Sequence, residues 1–118
     1  MNYEYSIQCS VIRYIKLKYP TLLYTIAPQG FKLPFGVAKK IKAMGYIAGV
    51  PDLMIFEPRN GYHGLFIEIK TNKTEYSQKG KVSENQKWWN NELNKRGYKA
   101  VICYGYDEVI NELENYLK

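Results

Sequence analysis

At 118 residues with 46% hydrophobic side chains, the chain has enough apolar material for one compact core and too little length for two, so a single domain over residues 1–118 is expected. Seventeen Lys and Arg against eleven Asp and Glu give +6, and because Asp107, Glu108, Glu112 and Glu114 crowd the C-terminal end, residues 1–106 hold sixteen bases and seven acids, a balance of +9 that favours phosphate-bearing or acidic partners. No apolar run approaches the roughly 20 residues of a membrane span and no Cys/His cluster could hold zinc, which excludes a membrane protein and a zinc module and leaves a reducing, cytoplasmic setting as the expectation.

Ile7, Val11, Tyr14, Ile15 and Lys18 recur at helical spacing, so residues 3 to 18 read as an amphipathic helix that Tyr19-Pro20 ends. Cys9 lies in this pattern and Cys103 in a later apolar strand; both are expected to be buried thiols. Leu22 to Ala27 reads as a strand. Pro28-Gln29-Gly30 and Pro34 mark a loop, and Val37, Ile41 and Met44 then make a short helical stripe that turns Lys39, Lys40 and Lys42 outward and stops at Gly45.

Leu53 to Glu57 and Leu65 to Lys70 read as antiparallel strands joined by Pro58-Arg59-Asn60-Gly61, whose Asn-Gly pair is a strong hairpin signal. Residues 71 to 82 are polar and without periodicity, the pattern of a loop. Ser83 opens a helix on which Gln86, Trp89 and Leu93 share a face, and Gly97 closes it. Tyr98 to Tyr104 is a strand and Glu108 to Leu117 a last helix. The order α-β-α-β-β-α-β-α, with no internal repeat, predicts an α/β fold with a mixed sheet flanked by helices.

On Leu65 to Lys70 the side chains alternate, so Phe66, Glu68 and Lys70 share one face. A strand this apolar usually lies inside a sheet, where two charges on a covered face require partners or a task. Asp52 is the natural third member, because Pro51 suits the start of a strand and the hairpin would bring Asp52 toward Glu68. Two carboxylates, a backbone carbonyl and water are the oxygen donors that Mg²⁺ prefers, and a neighbouring lysine can hold or deprotonate an attacking water. An isolated Glu-x-Lys is more often a cross-strand ion pair, and a lone Asp a turn cap.

Here the pattern is larger. Gly49-Val50-Pro51-Asp52-Leu53, then Gly64-Leu65-Phe66-Ile67-Glu68-Ile69-Lys70, then Ser83-Glu84-Asn85-Gln86-Lys87-Trp88-Trp89 resembles the virus-type replication-repair nuclease (VRR-NUC) family of the PD-(D/E)XK superfamily, from Glu4 to about Asp107. The resemblance implies a restriction-endonuclease-like fold in which Asp52, Glu68 and the Ile69 carbonyl bind Mg²⁺ or Mn²⁺ and Lys70 assists the nucleophilic water. It also implies that Glu4 joins the site from its helix, where the alternative is a first-turn carboxylate favoured by the helix dipole. Gln86 would reach the metal-bound water or phosphate, where the alternative is a capping box with Ser83. Pro28-Gln29-Gly30 departs from the family, which often has Asn before Gly, and no role is assigned there.

His63 precedes a strand in a turn with no acid or Cys nearby in sequence, so no proton-transfer role is expected. Trp88, Trp89 and the tyrosines fit core positions better than stacking ones, with Tyr76 in the polar loop the better stacking candidate. Lys73, Lys79 and Lys81, with Lys39, Lys40 and Lys42, are candidates for tracking phosphates. The expected function is hydrolysis of DNA phosphodiesters to 5′-phosphate products. Branched or flapped DNA is expected ahead of a defined base sequence, because so small a body leaves little surface for reading one. By resemblance to junction resolvases a homodimer is expected. The competing readings are a nucleic-acid-binding module that keeps the fold without the chemistry, and a protein-binding scaffold; the intact Asp52, Glu68 and Lys70 argue against both.

Overall fold

The computed structural model describes residues 3–27, 33–72 and 80–118. In chain order these form α1 (Tyr3–Lys18), β1 (Tyr24–Ile26), α2 (Phe35–Ala43), β2 (Leu53–Ile55), β3 (Leu65–Lys70), α3 (Glu84–Lys95), β4 (Lys99–Tyr104) and α4 (Tyr106–Leu117). The order is the predicted one and the fold is α/β. Its sheet runs β1-β2-β3-β4, antiparallel except for the parallel β3–β4 pair, which α3 connects as a crossover.

Strand alternation sorts the apolar side chains into two unequal layers. Leu65, Ile67 and Ile69 of β3 and Leu53 and Ile55 of β2 are fully buried against Val11 and Ile15 of α1 and Val109, Leu113 and Tyr116 of α4. The opposite face holds a smaller cluster in which Phe66 and Ala100 meet Leu93 of α3, with Met54, Trp89 and Tyr98 around them. Beyond Phe66 this thinner face continues as Glu68 and Lys70. The charges therefore stand where apolar cover runs out and the first turn of α3 begins.

Asn60 (φ 54°) and Gly61 (φ 84°) both adopt positive φ between reciprocal Arg59–Tyr62 backbone hydrogen bonds of 3.2 and 2.8 Å, as the Asn-Gly signal requires. β2 stops at Ile55 and not at Glu57, whose carbonyl accepts a 2.6 Å hydrogen bond from the Tyr116 hydroxyl. β1 is likewise shorter than the predicted Leu22 to Ala27, although Phe56 N–H to the Leu23 carbonyl (3.0 Å) and Ala27 N–H to the Asp52 carbonyl (2.9 Å) extend its contact with β2 at both ends. α4 begins at Tyr106, two residues earlier than expected.

Two further outcomes depart from expectation. Cys103 is buried but Cys9 only partly so. The stripe on α2 is helical, yet none of its residues is buried, so Val37, Met44 and the preceding Phe35 face outward. At the sheet's parallel edge the Asn94 side-chain amide pairs with Ala100 in both directions, donating to its carbonyl and accepting from its N–H at 3.0 Å each, and Glu108 accepts from the Tyr104 N–H at 2.9 Å. Among the described residues no helix is long and apolar enough to cross a membrane.

Candidate active site

The β2–β3 register pairs Leu53 with Ile67. Continued by one residue it sets Asp52 against Glu68, and the Asp52 carbonyl turns away to Ala27, so the two acids form a non-hydrogen-bonded pair. Such pairs are the closest in an antiparallel sheet, with Cα atoms about 4.5 Å apart. One step further, Pro51 faces Ile69. Proline has no N–H to give, so the ladder bond that would occupy the Ile69 carbonyl cannot form, and the Ile69 N–H instead donates to Oδ2 of Asp52 at 2.8 Å. Pro51 thus gives no ladder donor to a carbonyl oxygen that lies beside two carboxylates.

Asp52, Glu68 and Lys70 are 7%, 4% and 7% exposed, the buried polar or charged residues among those described. Nζ of Lys70 lies 3.6 Å from Oε2 of Glu68, and Nε2 of Gln86 donates to the same oxygen at 3.0 Å. Among the described residues no donor reaches Oε1 of Glu68, which is buried. Burial, then the adjacent Asp52 carboxylate, pushes the Glu68 carboxyl up to about 9, against the pull of Lys70. Burial also raises Asp52, opposed by the Ile69 N–H, by Glu68 and by Lys70. Two carboxylates against one ammonium leave a negative charge that either a proton shared between the acids or a cation must answer.

Gln86 resolves its two sequence readings by serving both. Its backbone N–H donates to Oγ of Ser83 at 3.1 Å and its Oε1 accepts from the Ser83 N–H at 2.9 Å, completing a capping box. The other end of the same amide is the donor to Glu68. α3 also grips the loop that delivers Asp52: Nε1 of Trp89 donates to the carbonyls of Ile47 and Ala48 at 3.3 and 3.1 Å. Gly49 (φ +98°) sits so close that a Cβ there would stand 2.7 Å from the Asn85 backbone carbon. Gly49→Ala is therefore expected to cost about 2 kcal/mol or more. A thermal unfolding curve unchanged by that substitution would contradict the close packing.

Glu4, in the first turn of α1, is half-buried. Burial raises its carboxyl, Lys70 lowers it and Asp52 raises it, so it lies within electrostatic reach of the cluster and not out in solvent. Lys39, Lys40, Lys42 and Lys81 are exposed. Lys73, Lys79, Tyr76 and the Pro28-Gln29-Gly30 turn lie outside the described residues. His63 takes no part in the cluster: its ring packs edge-on against Tyr98 at 5.5 Å and over the Cα of Gly97. An open depression of about 430 Å³, lined by Ser10, Arg13, Tyr14, Leu17 and Tyr106, shares no residue with the cluster. The Gly49 and Trp89 contacts are not legible in the sequence, where a glycine two residues before Pro51 is the one available signal.

The donor set suits a small hard cation. Asp52, the orphaned Oε1 of Glu68 and the Ile69 carbonyl are all oxygens, and Mg²⁺ characteristically takes one or two carboxylates and keeps several waters. Among the described residues no group of three or more His, Cys, Asp or Glu is placed to hold a metal, so the candidate donors here number two carboxylates and one carbonyl.

Against known proteins, the VRR-NUC domain model matches residues 10–107. A solved structure, a VRR_NUC domain protein, is 30% identical with a TM-score of 0.80, over 99% of this chain and 89% of its own. No curated protein matches significantly. The matched span contains Asp52, Glu68, Lys70 and Gln86 and leaves out Glu4.

Proposed function

This chain belongs to the VRR-NUC family of nuclease-type domains, and on that footing we propose that it is a divalent-metal-dependent DNA endonuclease, with residues 1–118 forming one nuclease unit. The observation that carries the reading is the buried Asp52–Glu68 pair, with one carboxylate oxygen unanswered and Lys70 alongside. Such a pair is costly to maintain unless a cation or a reaction uses it.

Asp52, Glu68 and the Ile69 carbonyl would hold Mg²⁺ or Mn²⁺, which supplies positive charge to the phosphate oxygens when bound. Lys70 holds the attacking water and offsets charge developing on the phosphate. Gln86 fixes Glu68 through its amide, and its donor group lies where a water or phosphate oxygen would also be met. Glu4 completes the acidic side from α1. Water forms the new bond to phosphorus while the bond to the 3′ oxygen breaks, leaving a 5′-phosphate and a 3′-hydroxyl. Lys39, Lys40, Lys42, Lys73, Lys79 and Lys81 are the residues that would track the DNA backbone. The small body favours branched, flapped or four-way DNA, and the uncovered stripe on α2 is the surface on which a homodimer would close.

The test is to incubate the purified chain with linear, flapped and four-way DNA in Mg²⁺, Mn²⁺ or EDTA. Cutting is expected with either metal and none in EDTA. Cutting that persists in EDTA refutes the proposed site, and binding without cutting under every condition favours a module that has kept the fold alone.

A further inference from the structure

Trp88 is 50% exposed on α3, an unusual position for a side chain that is highly buried on average. It is nonetheless held firmly. Its ring stands edge-on to Trp89, with centroids 5.5 Å apart and planes at 82°. Trp89 is tied in turn through its indole N–H to the carbonyls of Ile47 and Ala48. Rotating Trp88 away forfeits that aromatic contact, so the exposed indole face is presented in advance of any ligand. Tyr46 and Ile47 are exposed on the adjoining loop, which makes the patch apolar and partly aromatic.

The chain segments that carry the patch are basic. Residues 33–51 contain Lys39, Lys40 and Lys42 and no acid, and residues 80–96 contain Lys81, Lys87, Lys95 and Arg96 against Glu84 and Glu92. Glu84 is already paired with Lys87 at 3.3 Å. Glu92 is likewise paired with Lys95 and Arg96 at 3.1 and 2.7 Å, so an aromatic plate on a segment of net positive charge, on the helix whose first turn contacts the proposed active site, matches a polyanion that carries flat apolar groups. At about 100° per residue, Trp88 points roughly 200° around α3 from Gln86. It therefore does not face the nucleotide being cut, and a base stacked on it would belong to a nucleotide further along the same strand.

We infer that Trp88 is a stacking plate for an unpaired nucleobase flanking the cleaved bond, and so a specificity-determining residue that selects DNA with a single-stranded segment beside the cut. This rests on the nuclease reading for its place in catalysis but not for its measurement.

The experiment uses the full chain in EDTA, where nothing is cut, with tryptophan fluorescence as readout. Single-stranded oligothymidine is expected to quench the emission, and duplex of the same length to quench it far less. Trp88→Ala is expected to abolish the quench and weaken oligothymidine binding roughly ten- to hundredfold, whereas Trp88→Tyr restores binding. With Mg²⁺ or Mn²⁺ and flapped DNA, Trp88→Ala should raise KM and leave kcat near its original value. Unchanged oligothymidine binding by Trp88→Ala overturns the inference. So does a dimer that becomes monomeric in Trp88→Ala with binding retained, since the indole then faces a second copy. A chain that fails to cut under any condition yet shows the quench refutes the nuclease reading and leaves the stacking site standing.

Discussion

Asp52→Asn is expected to abolish metal-dependent cleavage, by a factor of roughly a thousand or more, while leaving the domain folded. Asparagine keeps an oxygen to accept the 2.8 Å hydrogen bond from the Ile69 N–H, so the local backbone has no reason to move. What it removes is the charge that a divalent cation requires of its ligands. Lys70→Met keeps the length of the side chain and is expected to lower kcat by roughly a hundred- to a thousandfold, the usual consequence of deleting one group that stabilises developing charge. The two variants should separate by metal affinity: Asp52→Asn weakens Mn²⁺ binding in a calorimetric titration, and Lys70→Met does not. Cleavage by Asp52→Asn at the original rate would remove Asp52 from the chemistry.

The second large effect is on stability and runs opposite to ordinary acid denaturation. The Glu68 carboxyl stands at about 9 in the fold against 4.5 for the unperturbed group. Below about pH 4.5 both folded and unfolded chains hold its proton and no penalty arises. Between 4.5 and 9 the unfolded chain releases the proton and the folded one keeps it, so stability falls as pH rises, by up to about 1.4 kcal/mol per unit. Asp52, raised in the same direction, adds to the trend. Relaxation and water entry reduce the sum to a few kcal/mol at most. In EDTA the melting temperature is therefore expected to fall from pH 5 to pH 9 by several degrees. Glu68→Gln should flatten the profile and melt higher than the parent at pH 8. Mn²⁺ should rescue the parent at high pH, since a ligand at a hundred times its Kd stabilises by about 2.7 kcal/mol. A metal-free profile that rises across this range, or a Glu68→Gln that melts lower at pH 8, would show that the two acids are not held in mutual repulsion.

Much of this was readable from local pattern. The strand Leu65 to Lys70 announces itself by composition, its period of two puts Glu68 and Lys70 together, and Pro51 with the Asn60-Gly61 turn aligns Asp52 across from Glu68. Each of these signals acts within a few residues. What escaped reading depends on distant partners. β2 ends early because Tyr116, fifty-nine positions away, takes the Glu57 carbonyl. Helical spacing says which side of α2 is apolar, not whether anything covers it. Trp89 shares its helical face with Gln86 and Leu93 and packs toward the sheet as that spacing predicts, whereas Trp88, expected in the core, is half exposed because consecutive residues cannot share that face. Gln86 was posed as either a cap or a site residue, and the amide has two ends.

The side-chain pairing of Asn94 with Ala100, and of Glu108 with Tyr104, has a consequence for how copies of this chain can associate. A sheet open along both margins can recruit strands without limit and lengthen into a fibre. Here one margin is answered at Ala100 and at Tyr104 by the protein's own amide and carboxylate, which makes recruitment along it less favourable than along the β1 side. An association through the opposite margin alone would be self-limiting, because two molecules joined by it would present no second margin of the same kind to a third.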